Sequence, residues 1–210
     1  GPVNQWGFSP DGGAKFDVQV YCYGGWVVVQ KRTSNSDFYK GWSEYENGFG
    51  DANNFWLGNK YIHRLTQNGA ELIVRMQTAD SEEKWAHAYY SSFTVGDSAS
   101  KYQLSASGYN GDGGDSLSYH SGKKFSTKDQ DNDTWGSNCA TQYKGAWWYG
   151  SCHNSNINGK YHNGDHSSYA DEEVLRWTVQ LYRHYMIEGK THRLSSDPYT
   201  LSHVANPDFI

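Results

Sequence analysis

The stretch from Tyr109 to Tyr169 constrains the fold of this chain more than any other feature, because it shows almost no hydrophobic periodicity. Gly, Asp, Asn, Ser and His dominate it, and aromatic residues are scattered through it. So long a run without regular structure is uncommon inside a compact domain, and it is usually functional or held by metal ions and disulfides. The sequence therefore predicts a loop-rich lobe that a more regular part of the chain supports.

The segments on either side of this stretch have the patterns of regular elements. Alternating apolar residues predict strands, at 16–22, 26–31, 71–77, 84–94, 102–106 and 174–181. Capping residues and helical spacing predict two helices, at 36–45 and from 54 to about 65. The last predicted strand is placed to return to a central sheet after the irregular stretch.

Charge and hydropathy exclude two classes of partner. The 210 residues carry a net charge of −5, which argues against a nucleic-acid-binding protein. The longest apolar run, at Trp26–Val29, is far too short for a membrane span, so no membrane insertion by this segment is expected. Aromatic residues are abundant instead, with 9 Trp and 17 Tyr, which favours loops packed by rings over long helices.

The three cysteines favour an oxidising compartment. Cys139 and Cys152 are close in sequence and can close a short disulfide loop, which leaves Cys22 over. Zinc held by the same two cysteines and the histidines that follow is the alternative, but structural zinc sites usually keep the first ligand pair two to four residues apart. We therefore favour a disulfide and an extracellular location.

The run Asp129-Gln130-Asp131-Asn132-Asp133 is the sharpest candidate for a metal site. Alternating carboxylates in a loop present hard oxygen ligands to one side, which suits Ca²⁺. The run is not an EF-hand, because Thr134 and Ala140 stand where that motif needs Gly and Glu. The carbonyls of Trp135 and Ser137 can complete a site, and a solvated acidic turn remains the alternative.

A set of aromatic residues in the irregular stretch suits sugar rings and small N-acyl groups, since Tyr and Trp combine an apolar face with a polar tip. Its members are Tyr143, Trp147, Trp148, Tyr149, Tyr161 and Tyr169. Ordinary core packing is the alternative, and it is favoured for Trp147 and Trp148. No serine elbow, nucleophilic cysteine context or phosphate-binding glycine loop is recognisable, so we do not expect an enzyme.

Seven segments follow one another in a characteristic order: GWVVVQKR (25–32), FYKGW (38–42), FWLGN (55–59), GDGGDSL (111–117), FST (125–127), GAWWY (145–149) and CHNSNINGKY (152–161). This series resembles the fibrinogen C-terminal (fibrinogen-related) domain, and the resemblance runs from about Asp17 to Ala170. It is strongest to the acetyl-group-binding lectin branch of that family, which includes ficolin-like, tachylectin-like and chitin-binding receptor types.

The resemblance implies a single α+β domain with a central twisted antiparallel sheet and short helices. An N-terminal lobe would cover 3–35, and the sheet and helices 36–108 with about 171–187. A loop-rich calcium and ligand lobe would cover 109–170, followed by an irregular tail at 188–210.

The resemblance also implies a calcium site and a disulfide. Asp131 and Asp133 would bind Ca²⁺ through their side chains, and Trp135 and Ser137 through their main-chain carbonyls. The family disulfide would join Cys139 to Cys152.

A ligand pocket beside the calcium loop is implied in the same way. Its residues would be Tyr143, Cys152, His153, Tyr169 and Ala170. The Ser151–Cys152 peptide bond is expected to be cis, which would turn the amides of Cys152 and His153 toward an acetyl oxygen. In fibrinogen, an acidic residue at the position of Tyr143 helps to bind the amino terminus of a peptide.

Because an aromatic residue replaces that acid here, the resemblance implies a secreted or cell-surface, calcium-dependent lectin in innate recognition or adhesion. Its partners would be N-acetylated glycans of the GlcNAc or GalNAc type, on chitin-like or microbial surfaces. A homo-oligomer formed through segments outside this chain would supply avidity. The alternative is a protein-binding module, as in the angiopoietin-like branch, in which the acetyl pocket is not used.

Overall fold

One antiparallel sheet of nine strands organises the computed structural model, which describes residues 3–5, 9–23, 25–78, 85–161 and 174–182. The strands are β1 (Val3–Gln5), β2 (Val20–Tyr23), β3 (Trp26–Arg32), β4 (Phe49–Gly50), β5 (Phe55–Trp56), β6 (Ala70–Thr78), β7 (Trp85–Val95), β8 (Leu104–Gly111) and β9 (Val174–Tyr182). Their order in the sheet is β1-β2-β3-β9-β6-β7-β8, while β5 pairs with β3 and with β4.

Strand β9 lies at the middle of this sheet. On one side Leu181 is opposite Val27 of β3, and on the other it is opposite Leu72 of β6. The prediction that residues 174–181 return to a central sheet is therefore confirmed. Strands β1 to β3 belong to the same sheet, so the N-terminal strands continue the central ones without a break in pairing.

The helices are short, and two lie beside the sheet while the others are in the loop-rich lobe. They are α1 (Trp42–Asn47), α2 (Asn59–Thr66), α3 (Cys139–Tyr143) and a 3₁₀ turn at Ser118–His120. The fold class is α+β, as the resemblance implied.

Helix α1 begins later than the sequence predicts, at Trp42 instead of Ser36. The carboxylate of Asp37 accepts the amide of Tyr39 two residues further on, which forms a local turn that competes with a helix. The helix starts where the Glu44 side chain can accept the Gly41 amide, at 2.9 Å.

Helix α2 also begins later than predicted, because residues 55–56 form strand β5 instead of a first helical turn. Gly58 precedes the helix with φ at +115°, and a β-carbon there would lie 2.8 Å from the Gly48 nitrogen. Only glycine fits that approach. Within the helix, Ile62 and Leu65 face the core as predicted, each 1% exposed.

An aromatic cluster fills the core between the helices and the loop-rich lobe. We call it the aromatic core, and it comprises Tyr45, Trp56, Phe125, Trp147 and Trp148. The Phe125 ring is central, with centroid distances of 5.4 Å to Tyr45 and 5.2 Å to Trp148. Both Trp147 and Trp148 are buried, so the core-packing interpretation of these two residues is confirmed.

We expect Phe125→Ala to lower the free energy of unfolding by about 3–5 kcal/mol, because it opens a cavity where the lobe packs on α1. Urea denaturation followed by tryptophan fluorescence measures the change. The matched control is Lys124→Ala at the exposed neighbouring position, which we expect to shift stability by less than about 0.5 kcal/mol. Equal losses in both variants would contradict a central role for Phe125.

Candidate functional site

The loop-rich lobe is closed by the predicted disulfide between Cys139 and Cys152. This bond joins the first residue of α3 to the turn at 150–153. Because both sulfur atoms are used in it, neither is a thiolate that could bind zinc, and the zinc alternative is wrong. The remaining cysteine, Cys22, is half-buried on β2, and burial raises the pKa of its thiol.

The acidic loop folds its carboxylates over its own backbone. Asp131 Oδ1 accepts the amide of Asp133 at 3.1 Å, and Asp133 Oδ1 accepts the amide of Trp135 at 2.8 Å. Asp133 Oδ2 accepts the amide of Cys139 at 2.9 Å, which ties the loop to α3. Asn132, between the two acids, donates from Nδ2 to the Phe125 carbonyl at 2.8 Å. Asp131 and Asp133 therefore accept hydrogen bonds from the loop that carries them, whereas Asn132 between them anchors that loop to Phe125.

The electrostatics of this loop fit a hard cation. Burial raises the pKa of Asp133, and the neighbouring Asp131 raises it further, while backbone amides oppose the shift. Each carboxylate oxygen retains lone pairs beyond the amide that it accepts, so both groups remain able to coordinate Ca²⁺.

The other ligands of such a cation would be main-chain oxygens. Within the described part of the chain, no three His, Cys, Asp or Glu side chains converge on one point. The carbonyls predicted as ligands, those of Trp135 and Ser137, accept no hydrogen bond from any described residue. They remain predicted ligands of a calcium site.

Asp129, the first acid of the run, has a structural role that the sequence pattern did not reveal. Its Oδ1 accepts the Trp42 amide at 2.9 Å and the Thr127 hydroxyl at 2.7 Å. A β-carbon on Gly41 would lie 2.7 Å from its Oδ2, so a larger residue at position 41 would displace the Asp129 carboxylate. Asp129 therefore joins the start of α1 to the loop-rich lobe.

Two of the predicted pocket residues meet beside the turn at 150–153. The Tyr143 and His153 rings stand perpendicular, with centroids 4.4 Å apart, and the Tyr143 side chain is 42% exposed. The Ser151–Cys152 peptide bond is cis, as predicted. The Cys152 amide donates to no acceptor among the described residues. The predicted pocket residues at 169 and 170 lie outside the described residues.

Comparison with known proteins identifies the family. The family described as fibrinogen beta and gamma chains, C-terminal globular domain, matches residues 9–194 of this chain. The chain belongs to this fibrinogen C-terminal domain family.

Two relatives show how much of a longer protein such a domain forms. Tenascin-R of Gallus gallus is 49% identical over 157 residues, which cover 71% of this chain and 12% of that protein. Ryncolin-4 of Cerberus rynchops is 45% identical over 165 residues, which cover 77% of this chain and 47% of that protein. The chain thus spans less than half the length of either relative.

Solved structures share the fold of this fibrinogen-related domain. The fibrinogen-like globe domain of human ANGPTL2 matches with a TM-score of 0.79 at 31% identity, covering 86% of this chain and 92% of that one. Lamprey fibrin D-dimer, complexed with the peptide Gly-His-Arg-Pro-amide, matches with a TM-score of 0.72 at 27% identity, covering 88% and 71%. The described residues include no helix with the length and hydropathy of a membrane span.

His120 supports the turn at 150–153 of this fibrinogen-related domain, which we call the pocket turn, and sequence analysis did not identify this residue. The side chain is fully buried, and its Nδ1 lies 2.7 Å from the Trp148 carbonyl. Its Nε2 accepts the amides of Asn154 and Ser155 at 3.2 and 3.1 Å, so the ring is neutral with the proton on Nδ1. Burial lowers its pKa to about 4. Nothing in the sequence distinguishes it from the other histidines.

Arg32 is a second buried anchor that sequence analysis did not identify. Its guanidinium donates to the carbonyls of Gly159 and Ser36, and it lies 5.3 Å from the centroid of the Tyr161 ring. The side chain is 2% exposed. It therefore fastens the last described part of the loop-rich lobe to strand β3.

We expect acid to destabilise the fold through His120. The unfolded chain takes up a proton near the ordinary pKa of 6.5, whereas the folded chain does so only near 4. Stability from the neutral ring is therefore complete above pH 6.5 and is lost as pH falls toward 4. Between pH 7 and 5 the loss is about 2 kcal/mol.

Urea denaturation at a series of pH values tests this expectation. His120→Gln keeps a donor and an acceptor but does not titrate, so we expect it to flatten the pH dependence of the free energy of unfolding by that amount. A wild-type curve and a variant curve with the same slope between pH 5 and 7 would contradict it.

Proposed function

We propose that this domain is a calcium-dependent lectin that binds N-acetylated sugars, in the extracellular space and in innate recognition or adhesion. The observation that carries the proposal is the exposed Tyr143 ring standing against His153 at 4.4 Å, together with the amide of the preceding Cys152, which has no acceptor among the described residues. An aromatic wall beside a backbone donor is the combination that a small N-acyl group requires. The disulfide agrees with an extracellular location.

The acetamido group would bind through one polar and one apolar contact. The Cys152 amide would donate to the acetyl oxygen, and the Tyr143 and His153 rings would contact the methyl group. Tyr169 and Ala170, assigned by the resemblance, would complete the wall. A single small pocket gives weak affinity, so useful avidity would come from several copies of the domain.

Calcium would act on the pocket indirectly, through the loop that holds it. Asp131 and Asp133 would bind the ion with their carboxylates, and Trp135 and Ser137 with their carbonyls. The bound ion would supply positive charge that holds these oxygens together. The loop is linked to the pocket turn through the Thr134 amide, which donates to the Gly150 carbonyl at 3.3 Å.

Protein or peptide binding is the second candidate, and the peptide complex of lamprey fibrin favours it. In fibrinogen, an acid at the position of Tyr143 helps to bind a peptide amino terminus. A phenol ring offers no negative charge to a cationic amine, so the same peptide chemistry would lack its counterpart here. For this reason we place the acetyl-binding function first.

Calorimetric titration of N-acetylglucosamine, with glucosamine as the matched control, tests the proposed function. We expect only the acetylated sugar to bind in calcium, and binding to be lost in chelator. His153→Ala and Tyr169→Ala should each weaken binding at least about tenfold, since each removes one wall of a pocket with few contacts. Thermal unfolding checks that the variants fold. No heat at millimolar sugar, with calcium bound, would favour the protein-binding alternative.

Calcium should raise the melting temperature of the domain, because an ion that binds only the folded state stabilises it. We expect Asp131→Asn to remove most of this calcium-dependent increase. The control Asp17→Asn makes the same charge change at an exposed position remote from the acidic loop in sequence, and it should leave the increase intact. A wild-type melting temperature that is the same in calcium and in chelator would refute the metal site.

A further inference from the structure

Tyr119 is an exposed aromatic residue held in place beside the pocket turn. Its side chain is 39% exposed, and its hydroxyl accepts the Ser151 amide at 3.3 Å. Its ring stands at 87° to the buried His120 ring, with centroids 5.1 Å apart. The ring is thus oriented by a hydrogen bond at its tip and by a packed neighbour at its base.

Tyr119 shares this surface with a lysine. A β-carbon on Gly150 would lie 3.1 Å from the Tyr119 hydroxyl and 3.1 Å from Cε of Lys123, so both side chains cover that glycine. Ser151, next to it, is also exposed. An exposed aromatic ring, a lysine side chain and an exposed serine therefore lie close together in space at the pocket turn.

This combination matches the chemistry of a sugar ring. A pyranose has an apolar C–H face that can stack on a tyrosine ring, and hydroxyls that hydrogen-bond to lysine and serine. The proposed acetyl pocket holds only the acetamido group. An oligosaccharide bound there would extend beyond this pocket, and the exposed Tyr119 ring lies beside the turn that carries Cys152 and His153.

We propose that Tyr119, with Lys123 and Ser151, forms a second sugar subsite for the residue that adjoins the bound N-acetylated sugar. The proposal rests on the proposed lectin function and narrows its ligand class to oligosaccharides. The competing explanation is that Tyr119 only positions the Ser151 amide through its hydroxyl. The two explanations differ in whether the ring or the hydroxyl matters.

Calorimetry with N-acetylglucosamine and N,N′-diacetylchitobiose separates them. We expect the wild type to bind the disaccharide about tenfold more tightly, which exceeds the gain from carrying a second acetyl group. Tyr119→Ala should lose this preference while its affinity for the monosaccharide stays within about twofold. Tyr119→Phe keeps the ring and should keep the preference.

The matched control is Trp85→Ala, because that ring is exposed to a similar extent, 41%, and lies against Arg75 of the sheet. It should change neither affinity. The subsite is refuted if the wild type binds both sugars with equal affinity, or if both Tyr119 variants lower the affinity for the monosaccharide to the same degree. A wild type that binds neither sugar refutes the proposed lectin function and the subsite with it, so the two failures are distinguishable.

Discussion

The pairing of strand β9 with β3 on one side and β6 on the other is the constraint on which the remaining structure depends. Strands β3 and β6 do not pair with each other, so the two halves of the described sheet are joined through β9. The chain reaches β9 only after it has formed the loop-rich lobe. Both ends of that lobe are therefore fixed on the sheet, by β8 before it and β9 after it. A lobe anchored in this way can keep long loops that carry function.

Inside the lobe, side chains supply hydrogen bonds to backbone groups that neighbouring strands supply in the sheet. His120 satisfies two loop amides and one carbonyl, Arg32 satisfies carbonyls at the far end, and Asp133 satisfies two more amides. Buried backbone groups need partners, and these side chains supply partners that the lobe's own backbone hydrogen bonds leave out. The aromatic core then provides the apolar contact that fastens these loops to α1. The candidate site lies on the outer side of this framework.

Sequence reasoning succeeded where one face of an element is buried and failed where a distant partner decides the outcome. The alternating pattern over 16–22 does mark buried residues, but only its second half forms a strand of the sheet. Phe16 is 2% exposed and its ring centroid lies 4.6 Å from that of Tyr61, yet no described strand pairs with it. His120 and Arg32 bind carbonyls far along the chain, so no local pattern announces them. The disulfide was indicated both by the spacing of Cys139 and Cys152 and by the family resemblance, whereas the cis bond and the meeting of pocket residues followed from the resemblance alone.

The chemistry of the proposed site depends on the side chain at position 143, and the end of helix α3 places that side chain. Tyr143 ends helix α3, whose first residue is held by the disulfide and whose start is capped by Asn138. Lys144, with φ at +53°, ends the helix immediately afterwards. The Tyr143 ring, at the end of this short helix, stands beside the His153 ring. A carboxylate in that position would draw a cationic amine, whereas a phenol ring favours a neutral acyl group. One substitution on an unchanged framework therefore separates the two proposed ligand classes.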